Sequence, residues 1–165
     1  NVLLPDVHRD TIDVLLTNGY EVVIPNQQGC CGSLLGHYGD VGAAQVLARR
    51  NIDVFERFDC SALVIDSAGC GAYMKEYGKL LAQDPAYATR AAEISRKTQD
   101  ITEFLVNAGF RTPTRHLNHR VTYHEACHLV HTQMISGLGK NWFFCFLLFY
   151  ISGISPYLQR DIPEK

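Results

Sequence analysis

Ala62-Leu63-Val64-Ile65-Asp66-Ser67-Ala68-Gly69-Cys70-Gly71-Ala72 is a short apolar run that opens directly into a glycine-lined loop carrying a cysteine. A fully apolar run of this length reads as a strand buried on both faces of a parallel sheet. The segment behind the loop, with Met74 and Tyr77, reads as a helix. Strand, glycine loop and helix in succession form the unit from which α/β domains are built. The stretch therefore predicts an α/β fold, a small parallel or mixed sheet with flanking helices. Ligands of such sheets bind beyond the carboxyl ends of the strands, where loops converge and helix N-termini point outward. Cys70 stands at that edge.

Upstream, Asp40 to Phe58 reads as a helix with Val41, Ala44, Leu47, Ala48, Ile52 and Phe55 on one face. Before it, Tyr20 to Ile24 reads as a strand ended by Pro25, and Gly29-Cys30-Cys31-Gly32 follows. The two cysteine loops thus occupy equivalent places, each at the end of a strand. Nearer the start, Asp6 to Asn18 suits an amphipathic helix with Val7, Ile12, Val14, Leu15 and Leu16 as its apolar positions, and Asn18-Gly19 is a helix stop.

Downstream, Pro85 to Ala108 reads as one long helix broken near its start, with Tyr87, Ala91, Ile94, Ile101, Phe104 and Leu105 facing the core. Asn107-Ala108-Gly109 closes it. The polar stretch with Pro113 reads as a linker, after which Val121-Thr122-Tyr123 and His124-Glu125-Ala126-Cys127-His128 begin the strand-and-cysteine-loop plan again. The organisation predicted is a first cysteine-rich module over 1–112, a linker over 113–120, the opening of a second module over 121–136, and a divergent tail over 137–165. In that tail, Trp142 to Ile154 is an aromatic-rich run shorter than the ~20 residues of a membrane-spanning helix. It reads as a buried element, an interfacial segment, or a frameshifted or chimeric end.

The whole chain, 165 residues at 47% hydrophobic content, suffices for one compact domain or one domain and part of another. A formal net charge of -2 with scattered charges offers no basic footprint, which excludes nucleic acid as an expected partner. The six cysteines are not accompanied by a secretory pattern, so free or metal-bound thiols in a reducing compartment are expected.

Neighbouring thiolates boxed by glycine can reach one metal centre, because backbone without Cβ approaches the sulfurs closely and its amides can point at them. Cys30, Cys31 and Cys70 brought together at one sheet edge favour an iron–sulfur cluster or zinc over magnesium or calcium. Gly29, Gly32, Gly69 and Gly71 would shape the backbone around the sulfur atoms. The competing reading is that cysteine is a small core residue, and Cys60 and Cys145, which lack the glycine context, are read that way.

Gly29-Cys30-Cys31-Gly32-Ser33, the distant Ser67-Ala68-Gly69-Cys70-Gly71, and Tyr123-His124-Glu125-Ala126-Cys127-His128-Leu129 together resemble the cysteine-rich CCG domains of heterodisulfide reductase B-type proteins, among them the iron–sulfur subunits of glycolate oxidases. The resemblance runs from Asn1 to about Ser136. It implies tandem modules, each with a lead cysteine, a Cys-Cys-Gly and a final Cys-x-x-Cys that hold a 4Fe-4S type cluster. Cys30, Cys31 and Cys70 match the first module and Cys127 the lead cysteine of the second. Ser67 replaces one expected cysteine, no second Cys-Cys-Gly follows Cys127, and the first lead cysteine would fall off the N-terminus, which is read as cut. An incomplete second module and an incomplete ligand set are therefore expected. The resemblance implies an electron-transfer subunit of a glycolate-oxidising complex, fed by a flavin-containing partner subunit, in the cytoplasm or peripherally at the inner face of the membrane.

His124-Glu125-Ala126-Cys127-His128 also satisfies H-E-x-x-H, in which two histidines a helical turn apart bind zinc and the glutamate acts as general base. A zinc-dependent hydrolase is thus the alternative enzyme reading. A non-catalytic scaffold is the remaining one. The motif follows a strand directly, and His131 lies too near to complete the usual ligand set.

Overall fold

A computed structural model describes residues 5–111 and 126–136. The chain divides into two compact units, one of residues 1–22, 109–124 and 137–165, the other of residues 23–108 and 125–136.

The described part of the first unit is built on helix α1, Pro5–Thr17. Proline suits the first helical position because its missing N–H has no partner there, and Asp6 complements the positive end of the helix. Val14 and Leu15 are buried, whereas Leu16 is exposed. Gly19, at φ +87, ends the helix. Its amide donates to Leu16 O and that of Tyr20 to Leu15 O, the paired bonds of a Schellman motif. The Asn18 amide group donates to Val14 O, and its oxygen accepts from the Arg111 backbone at 2.8 Å.

The second unit begins with irregular backbone over 23–32 and continues through α2 (Ser33–His37), α3 (Val41–Phe55), β1 (Leu63–Ile65), α4 (Ala68–Lys75), α5 (Tyr77–Leu80), α6 (Ala88–Lys97), β2 (Thr98–Asp100) and α7 (Ile101–Ala108). A π-helical turn, His128–Thr132, packs against α4. β1 and β2 pair in parallel, Leu63 with Thr98, Val64 with Gln99 and Ile65 with Asp100. Parallel strands need a long crossover, supplied here by α4, α5 and α6. The α/β class follows, with helices dominant.

α3 starts because the Asp40 carboxylate accepts from Ala43 N at 3.0 Å, satisfying an otherwise orphaned amide. Its inner face, Ala44, Ala48, Ile52 and Phe55, is buried, while Val41 is exposed. Ala48, Ile52 and Phe55 join Cys31, Val54, Met74, Tyr77, Leu81, Ala91 and Ile94 in a single core. Gly78 lets α5 approach α6 closely, since a Cβ there would stand 3.2 Å from Ala92 Cα. Ser95 stitches the same joint, accepting from Gly78 N and donating to Met74 O. On the outer side of α3, Arg90 pairs with Asp53 and Glu56 and lies 4.4 Å over the Tyr87 ring.

Three sequence expectations change. Tyr20 to Ile24 is not a strand: Val23 and Ile24 are exposed, and no strand lies alongside among the described residues. β1 is only half-buried, because its sheet has one other strand among the described residues. The long helix 85–108 is interrupted in its middle by β2. The Thr98 hydroxyl donates back to Ile94 O at 2.8 Å and ends α6, and Asp100 then opens α7 by accepting from Thr102 N at 2.9 Å. Asp100 N donates in return to Glu103, completing a capping box. The expected strand Val121–Tyr123, the linker, Cys145 and the aromatic run from Trp142 lie outside the described residues.

Candidate metal centre

The Cys30-Cys31 loop is held from behind by two polar side chains of the core. Asn51 of α3 accepts from Gly29 N at 2.9 Å through Oδ1, and through Nδ2 donates to Cys30 O at 3.0 Å and to the Tyr77 hydroxyl at 3.3 Å. Tyr77 donates in turn to Cys31 O at 2.8 Å. Both side chains are closed to solvent, Asn51 at 1% and Tyr77 at 0% exposure. A buried polar group must be partnered to be tolerated; here the partners are consecutive backbone groups of the loop. Burial pushes the Tyr77 hydroxyl well above its usual range, so it remains a donor.

Gly32 then turns the chain into α2 at φ +87. A Cβ at this residue would lie 3.3 Å from Ala44 O, so both the conformation and the space demand glycine. The Gly32 amide approaches Cys30 Sγ at 3.4 Å. Cys30 is exposed at the rim and Cys31 is buried.

Cys70 lies in the first turn of α4, behind β1, and its Sγ is 3.2 Å from Cys31 Sγ. The hydrogen bond from Cys70, reinforced by the Ser33 hydroxyl and amide, lowers Cys31 to about 5, whereas the bond to Cys31 and burial push Cys70 upward. The Ser67 side chain also bonds Cys70. The loops thus bring two sulfur atoms into contact, with a serine beside each.

The π-helical turn closes another side. Gln133 donates to Ala68 O at 2.9 Å, and a Cβ on Gly71 would come 3.2 Å from its Nε2. Gly69 faces His128 Nδ1 at 4.0 Å in the same sense. Gly71 admits the 126–136 segment close to α4, and Cys127 heads that segment, exposed. The rings of His128, His37, Tyr73 and Tyr77 follow one another at 6.1, 6.1 and 6.2 Å between centroids. They run from the π-helical turn to the side chain that holds the cysteine loop.

Of the sequence candidates, Cys31 and Cys70 meet, Cys30 adjoins them along the backbone, and Cys127 belongs to a segment packed on the helix that carries Cys70. Among the described residues Cys70 follows a strand, whereas the Cys30-Cys31 loop follows irregular chain. Cys60 is half-buried outside this group. His124 and Glu125 lie outside the described residues. Asn51 is not among the sequence candidates; the one hint is a polar residue beside Ile52 in the apolar stripe of α3, which marks a buried polar group without saying what it holds.

Residues 1–75 match the family of the CCG cysteine-rich domain. This part of the chain belongs to that family. The chain is 38% identical over 129 residues to a probable glycolate oxidase iron-sulfur subunit of Bacillus subtilis, covering 75% of this chain and 29% of that protein. It is 33% identical to lactate utilization protein A of Shouchella clausii, covering 78% and 54%, and 30% identical to the glycolate oxidase iron-sulfur subunit of Escherichia coli, covering 82% and 34%. It therefore spans between about a quarter and a half of the length of these curated relatives. No solved structure matches at a significant level.

Among the described residues, no group of three or more His, Cys, Asp and Glu side chains is placed to hold a metal ion. In an iron–sulfur cluster each thiolate meets its own iron, so the ligands need not converge on one point. The soft donors Cys31 and Cys70, the glycine-shaped loops and the rim position of Cys30 fit such a group in kind. No helix among the described residues is long and apolar enough to cross a membrane.

Proposed function

We propose that this chain is part of an iron–sulfur electron-transfer subunit of a complex that oxidises a 2-hydroxy acid, glycolate being the substrate named by relatives. The observation that carries the proposal is the meeting of Cys31 and Cys70 Sγ at 3.2 Å from two separate loops. Cys30, Cys31 and Cys70 serve the first module as thiolate ligands of a 4Fe-4S type cluster, with Cys127 contributing from the opening of the second. When bound, the cluster supplies one-electron transfer between a flavin-containing partner subunit and an acceptor. The protein's own part is positional. Asn51 and Tyr77 hold the Cys30-Cys31 backbone, α4 holds Cys70, and Gly29, Gly32, Gly69 and Gly71 shape the loops around the sulfur atoms, Gly32 and Gly71 where a Cβ would crowd Ala44 and Gln133. The modules are 1–112 and, after a linker over 113–120, 121–136; the complex works in the cytoplasm or at the inner face of the membrane.

The test is made in the assembled complex. Cys31→Ser should leave the flavin reducible by glycolate yet stop electrons reaching an artificial acceptor. Unchanged acceptor reduction would overturn the assignment.

A further inference from the structure

Cys31 and Cys70 are separated by 39 positions in sequence, with α2, α3 and β1 between them, yet their sulfur atoms touch at 3.2 Å. A disulfide needs about 2.05 Å between sulfurs, so closing the bond requires a contraction of roughly 1 Å. Both partners are held in place for it: Cys31 by the Asn51 and Tyr77 bonds to its loop, Cys70 by the first turn of α4. Among the described cysteines, all free thiols, Cys31 and Cys70 are the pair whose sulfur atoms touch.

We propose that Cys31 and Cys70 are a redox modification site, closing a reversible disulfide when the protein carries no cluster, and that the closed bond prevents cluster assembly. The second half of this rests on the function proposed above; the first does not. The oxidant is a hydroperoxide. One sulfur attacks a peroxide oxygen, the O–O bond breaks, and a sulfenic acid and water form. The second thiol then attacks that sulfur and expels a second water, so that two thiols and one hydrogen peroxide yield one disulfide and two waters. The sulfurs lose two electrons and the peroxide gains them. A dithiol reductant reverses the reaction by thiol–disulfide exchange. The closed bond withdraws both thiolates from metal, because the thiolate is the ligand.

The experiment treats the full chain, metal-free and fully reduced, with stoichiometric hydrogen peroxide, alkylates the remaining thiols and digests with trypsin. The expected result is a link between the Asp10–Arg49 and Phe58–Lys75 peptides, assigned by fragmentation to Cys31 and Cys70. It should disappear with dithiothreitol and in Cys70→Ser, and persist in Cys30→Ser. Fragmentation of the wild-type link assigns the sulfurs even if a variant fails to fold. A link through Cys30 or Cys60, or peroxide consumption that ends in sulfinic acid with no link, would overturn the proposal. Iron and sulfide are then offered anaerobically to the oxidised and the re-reduced protein. Uptake by the re-reduced protein alone is expected, and equal uptake by both would overturn the blocking role. Disulfide formation with no uptake by either form would instead overturn the cluster reading and the blocking role that rests on it, leaving the disulfide standing.

Discussion

At the scale of the residue, Tyr77 joins the core to the candidate site. Its ring belongs to the same apolar cluster as Ile52 and Leu81, while its hydroxyl holds the carbonyl of Cys31. Tyr77→Phe keeps the ring and removes the donor, leaving a buried carbonyl and the Asn51 amide with one partner fewer. The expected loss of stability is about 1–3 kcal/mol, measured as a shift of the urea midpoint at unchanged slope. A variant as stable as wild type would show that the hydroxyl does not hold the loop. Asn51 acts on the same backbone from α3, and that pairing explains why its function was illegible. A stripe of apolar residues announces a buried face, but nothing in the sequence says that a loop twenty residues earlier folds back onto it. The cysteines and their glycines were legible because their chemistry is written locally. Cys31 and Cys70 meet although the first loop follows no strand, so a shared sheet edge is not what brings them together.

At the scale of the element, the division of 85–108 is the instructive difference. Apolar periodicity runs across Thr98–Asp100 and suggests one helix, yet Asp100-Ile101-Thr102-Glu103 carries a capping box that marks a new start. A sequence reading attentive to caps would have placed the break there. Register then made the strand: Thr98 and Asp100 are buried where β2 lies along β1, and Gln99 is half-buried. Burial raises the Asp100 carboxyl above 3.8, against the bonds from Thr102 that favour its charged form. The native state therefore keeps this proton to higher pH than the unfolded chain. The stability linked to it is fully present below 3.8 and is lost as pH rises through the native value. Asp100→Asn preserves the acceptor for Thr102 and removes the titration. Its stability relative to wild type should increase as pH is raised from 3.8 and level off once the native carboxyl is ionised, as read from urea midpoints across the range. A constant difference would contradict the assignment.

At the scale of the whole molecule, the second unit uses its small sheet as an anchor for helices rather than as a platform. β1 and β2 fix where α4 begins, α3 and α5 supply Asn51 and the tyrosine that secures the loop, and the 126–136 segment covers α4 from another side. The α/β class was legible from Ala62–Ala72 because an apolar run followed by a glycine turn permits few alternatives. The strand expected at Tyr20–Ile24 was not realised, since β propensity alone makes no ladder without a neighbour to accept its hydrogen bonds. The second unit thereby sets a pair of thiols at the meeting of two loops, in a chain similar to iron–sulfur subunits.

The most direct test is the iron and acid-labile sulfide content of the full chain after anaerobic reconstitution, read together with its visible absorbance. Iron and sulfide bound in comparable amounts, with absorbance that is lost in both Cys31→Ser and Cys70→Ser, is the predicted result. Zinc without sulfide, or iron and sulfide retained unchanged in those variants, would contradict it.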